Sequence, residues 1–149
     1  MMLVERLVEH QRTIAAIAER ALPLLAVDSQ PDPMALSRLR WELVRAMTAY
    51  QHFKHREIFD PAIKRGTGHL QHMAEVMKTD CVALGDEFTR YVQHWSSVGT
   101  ADRWHEYRQD ALAMSTRLRR HVEREGQAIS AMLRGARASG SPIWPDRTR

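Results

Sequence analysis

The sequence is short of several things that decide what a chain can become. It has one cysteine, Cys81, so no internal disulfide can form and no thiolate zinc cluster can be assembled. No apolar run approaches the ~20 residues a membrane-spanning helix needs, so a membrane partner is not expected. It has seven glycines and six prolines, and they form no repeat. There is no Gly-x-Ser-x-Gly elbow, no phosphate-cradling glycine loop and no dinucleotide fingerprint, which leaves a conventional enzyme without its usual parts. The amino-terminus opens directly on the amphipathic segment Met1-Met2-Leu3-Val4-Glu5-Arg6, with no secretory leader pattern. With its single free thiol, this predicts a reducing, bacterial-type cytoplasm.

The net charge of +4 is also less than it looks. From Arg134 to Arg149 there are four arginines and one acid, Asp146, so most of the excess lies in the last sixteen residues. The remainder is nearly neutral and offers no basic face for nucleic acid.

The apolar residues recur at intervals of three and four, and no stretch alternates as a strand would. The spacing predicts helix A over 2–26, with Leu3, Leu7, His10, Ile14, Ile17, Ala21 and Leu24 on one face and Pro23 kinking or ending its last turn. Asp32-Pro33 reads as an N-cap followed by a first-turn proline. Helix B follows over 33–60, on a line of Arg40, Val44, Met47, Gln51, His55 and Ile58. Gly66-Thr67-Gly68 separates it from helix C over 68–97, with Met73, Met77, Cys81, Leu84, Phe88 and Trp95. Val98-Gly99-Thr100 precedes helix D over 101–136, on a line of Trp104, Tyr107, Ala111, Met114, Leu118, His121, Glu125, Ile129 and Met132. Residues 137–149 read as a basic flexible tail, in which Ile143 and Trp144 are apolar enough to dock. Each helix has one stripe to bury, so the expected fold is all-α: an up-down-up-down antiparallel four-helix bundle over 1–136. Trp41, Trp95 and Trp104 are expected to cap core layers, and Cys81 to act as a small buried hydrophobe.

The polar exceptions on these lines carry the functional reading. His10, Gln51, His55, His121 and Glu125 fall among apolar neighbours, where an unpaired polar group costs several kcal/mol. With alternating helix directions they gather at one end of the bundle. Converging imidazole and carboxylate groups are how bundles build metal sites, and with no thiolate they suit iron, manganese or zinc. The bland alternative is a hydrogen-bonded cluster with buried water. His52, His69, His72 and Glu57 lie close enough to serve as additional ligands, although solvated positions suit them better. A ferritin-like oxidase would need two Glu-x-x-His pairs, and the core lines hold none.

Three features together resemble the hemerythrin (HHE cation-binding) family. They are an early helix A histidine, the segment Phe53-Lys54-His55-Arg56-Glu57-Ile58-Phe59-Asp60-Pro61, and Arg119-Arg120-His121-Val122-Glu123-Arg124-Glu125 late in helix D. The resemblance spans about residues 3–134. It implies a non-haem iron protein that binds or senses O₂ or NO, or handles iron, with His10, His55, His121 and Glu125 as ligands. Counting back from Pro61 places the family's His-x-x-x-Glu on Gln51 and His55; a second register uses His52 with Arg56 and Glu57. Helix C has Met73 and Met77 where the family has a His-x-x-x-His pair, which implies a mononuclear or incomplete di-iron site. The competing expectation is a hemerythrin-derived bundle without metal, acting as a regulatory protein-interaction module.

Overall fold

Asp32 opens the second helix as its sequence context predicts. In the computed structural model its carboxylate accepts the Met34 backbone N–H at 3.0 Å, and Pro33 fills the first turn. The structure describes residues 2–29, 31–140 and 143–144. Helix α1 runs Met2–Leu25 and continues through Pro23 without ending there. Helix α2, Pro33–Phe53, passes into a π-helical turn, Lys54–Phe59, and then into α3, Asp60–Arg65, so the three read as one long rod. Helix α4 spans Gly68–Val98 and α5 spans Trp104–Ala138. Gly99, at φ +82°, ends α4 in a conformation that L side chains avoid. Among the described residues there is no strand, and no helix is long and apolar enough to cross a membrane.

The packing follows from the stripes. Helix α1 lies against α2 and α5, while α4 lies against α2, the π turn, α3 and α5. Four long helical rods therefore enclose one interior, which divides into two layers. The larger collects Leu7, Ile14, Met47, Tyr50, Phe53, Ile58, Cys81, Leu84, Leu118 and Ile129 among its buried members. The smaller is aromatic, built on Trp95, Trp104 and Tyr107 with Leu25, Leu36 and Ala111. Trp95 and Tyr107 meet edge to face at 5.1 Å, a geometry worth about 0.5–1.5 kcal/mol beyond the area it buries. The Trp95 indole donates to Asp110 at 2.7 Å and the Trp104 indole to the Val27 carbonyl at 3.0 Å, so neither ring buries an unpaired N–H.

Some expectations change. Trp41 does not cap a layer: it is 48% exposed, because the inward line of α2 passes through Leu36, Met47 and Tyr50 instead. Helix α5 continues two residues past the expected end of the bundle domain, to Ala138. The segment beyond is also not wholly separate from the core. Ile143 is buried, and the Trp144 indole donates to the Ile58 carbonyl at 3.3 Å. Residues 141, 142 and 145–149 of the expected flexible tail lie outside the described residues.

Candidate functional site

The polar interior centres on a lysine. A π turn closes its hydrogen bonds from i to i+5, one residue further along than an α-helix does. Here it begins at Lys54, beside Phe53. Lys54 lies four residues after Tyr50 and four before Ile58, and all three are at most 1% exposed. Its ammonium donates to Glu125 Oε1 at 2.6 Å and to Cys81 Sγ at 3.2 Å. It also stands 3.9 Å from the centre of the Tyr50 ring, close enough for a cation–π contact. Tyr50 donates its own hydroxyl to the same carboxylate oxygen at 2.8 Å. A carboxylate, an ammonium, a phenol and a thiol from three helical rods thus share one small volume.

The other Glu125 oxygen faces His121, one helical turn earlier, with Nε2 to Oε2 at 3.2 Å. The two atoms lack the alignment of a hydrogen bond, and neither has another partner among the described residues. Burial alone would raise the Glu125 pKa, but His121 and Lys54 outweigh it and hold the group below the ordinary carboxylate range. Glu125 is therefore ionised at neutral pH. Burial drives the Tyr50 pKa up, with the Glu125 charge adding to it, so Tyr50 stays a hydrogen-bond donor. Burial also raises the Cys81 pKa despite Lys54 beside it, which leaves a protonated thiol and a poor nucleophile.

Two glutamines brace this layer, each opposite a glycine. Gln51 donates to the Cys81 carbonyl at 3.3 Å and accepts from the Cys81 thiol. Gln11 donates to the Tyr50 hydroxyl and the Val122 carbonyl, both at 3.4 Å. A Cβ at Gly126 would come within 2.6 Å of the Gln11 amide nitrogen, and one at Gly85 within 3.1 Å of that of Gln51. Glycine inside a helix costs about 1 kcal/mol relative to alanine; here it gives both amides room.

The expected ligands distribute unevenly around this centre. His121 and Glu125 are together. His55 is half-buried, with Nε2 3.3 Å from Cys81 Sγ and its ring tilted against Phe59. His10 stacks on Phe53 at 5.0 Å and tilts toward Tyr50 at 6.1 Å. Burial lowers the pKa of both His10 and His55. Gln51 belongs to the cluster through Cys81. His52, His69 and His72 are exposed, and Glu57 forms a peripheral ion pair with Arg6 at 3.7 Å.

This donor set does not fit a non-haem iron ion. Such an ion needs several imidazole and carboxylate groups pointing at one place. Among the described residues no three His, Cys, Asp or Glu side chains form such a group. The cation that Glu125 contacts most closely is the protein's own Lys54. Sequence reasoning passed over that residue. The available signal was the Tyr50–Lys54–Ile58 spacing, which puts a cation on an apolar line. No protein-family model, no curated protein and no solved structure shows a significant match to the chain.

Proposed function

We propose that this chain is a metal-independent, hemerythrin-like bundle that works as a binding and regulatory module. In this reading it is neither an iron carrier nor a conventional enzyme. One observation carries the reading: the buried Lys54 ammonium 2.6 Å from Glu125, at the level where a metal ion would be needed. An internal cation neutralises the carboxylate without a cofactor, and Tyr50 and Cys81 complete its surroundings. An up-down-up-down course belongs to the proposal. It is supported by contacts of the start of α5 with the end of α4, through Trp95 and Tyr107, and with the segment after α1, through Trp104 and Val27. The protonated, buried Cys81 suits a reducing cytoplasm and argues against thiol catalysis.

Elemental analysis of untagged protein, from cells grown with added iron or added zinc, tests the reading. The expected result is no stoichiometric metal, and no gain on reconstitution. Near-stoichiometric iron that disappears in a folded His55→Ala, His121→Ala variant would instead establish the iron-binding function that the family resemblance implies.

A further inference from the structure

A groove lies between α1 and α5, with Arg40 of α2 and Tyr91 of α4 also lining it, and at one end it reaches Gln11, which braces the Lys54 layer. Its lining runs from Val8 to Leu25 on α1 and from Tyr107 to Glu123 on α5. At 1.5 Å per residue the two spans are about 24–26 Å. The volume is about 380 Å³, within the range of small-molecule sites. Its walls are mostly aliphatic, with Ile14, Ala18, Leu36, Leu43, Met114 and Leu118 among them.

The lining also carries charged side chains: Arg12, Glu19, Arg119 and Glu123 are exposed, whereas Arg40 is half-buried among the aliphatic walls. The Arg40 Nε–H is buried and has no hydrogen-bond partner. Another guanidinium nitrogen, Nη1, donates weakly to the Tyr107 hydroxyl at 3.4 Å. The guanidinium carbon stands 5.6 Å from the centre of that ring. Among the described residues no carboxylate forms an ion pair with Arg40; Asp110, whose charge reaches neighbouring Tyr91, is held by the Trp95 indole. Burial keeps the Tyr91 hydroxyl protonated, so at its half-buried level the groove presents the Arg40 guanidinium beside the Tyr91 and Tyr107 side chains. A half-buried charge with a buried, idle donor normally has a counter-ion. Among the described residues none pairs with Arg40.

We propose that this groove binds an elongated aliphatic carboxylic acid, its head on the Arg40 guanidinium beside Tyr91 and Tyr107 and its tail along the seam between α1 and α5. One uncompensated cation matches a monoanion, and the long aliphatic seam matches a hydrocarbon tail better than a compact polar metabolite. The inference rests on the binding-module part of the proposed reading, not on the absence of a metal, and gives it a ligand class.

Calorimetric titration of the full chain with dodecanoate, and separately with dodecanol, tests it. The wild type should bind dodecanoate at least tenfold more tightly than dodecanol. Arg40→Gln should erase that preference by weakening dodecanoate alone, whereas Ala18→Phe should fill the groove and weaken both ligands tenfold or more. Equal affinity for the two ligands, or no binding of dodecanoate, overturns the proposal; this comparison uses the wild type alone and does not depend on a variant folding. Metal analysis of the same preparation separates the two readings. Iron without a dodecanoate preference sinks both, while iron with the preference leaves the groove assignment standing.

Discussion

The two layers of the interior solve the same problem by different means. In the aromatic layer, Trp95, Trp104 and Tyr107 bury large surfaces, and each indole sends its N–H outward to an oxygen at the layer's margin. The polar layer keeps its charges at the centre and surrounds them with apolar groups from α1, the π turn and α4. The first arrangement is stabilised by area and tolerates loss of its hydrogen bonds. The second depends on every charge keeping its partner, because a buried ion left alone is worth several kcal/mol of destabilisation.

The largest expected effect tests that dependence. Lys54→Ala should lower unfolding free energy by about 3–5 kcal/mol in urea titration, because it strands Glu125. Adding Glu125→Leu to Lys54→Met should recover most of the loss or exceed wild type by about 1–4 kcal/mol. A double variant as unstable as the single one would show that packing, not charge, dominates the layer.

Trp95→Ala should cost a similar ~3–5 kcal/mol through cavity formation, with no second substitution that repairs it. The loss should be the same at pH 7 and pH 5, since the ring does not titrate.

The polar layer, by contrast, should respond to pH. His10 and His55 have folded-state pKa values below the ordinary 6.5, so their contribution is complete above that pH and is lost as pH falls through the lowered values. Glu125 is likewise held below 4.5, and its contribution disappears as pH falls through its folded-state value. Stability should therefore decline gradually below about pH 6.5 and more steeply below about pH 4.5. His55→Gln should flatten the first part of that decline in denaturation curves measured from pH 7 to pH 5.

The smallest effect belongs to the margin of the aromatic layer. Asp110→Ala removes the acceptor for Trp95 near solvent, where water can substitute, and should cost about 1 kcal/mol. A loss as large as that from Lys54→Ala would erase the distinction between the layers.

Much of this was legible in the sequence. The 3.6-residue period, the Asp32-Pro33 start and the glycine breaks placed four helices close to their observed limits, because those signals are local. The buried His121 and Glu125 were legible for the same reason: they lie four apart on an uninterrupted helix. Lys54 was legible only in part. Its spacing from Tyr50 and Ile58 is local, but its partner Glu125 waits 71 residues away, and the π turn that begins there is not announced by the sequence. Trp41 misled in the opposite direction, since an aromatic ring at an apparent core position is no guide when the helix turns that face to water.

The π turn also has a bearing on register. It puts the helix before Lys54 and the helix after Phe59 out of phase by a residue. Counting back from Pro61 in a regular period reaches His55 and Gln51, whereas the deepest positions are Lys54 and Tyr50, each one residue earlier. A count carried back from Pro61 across this turn without allowing for it therefore lands one residue past the buried line.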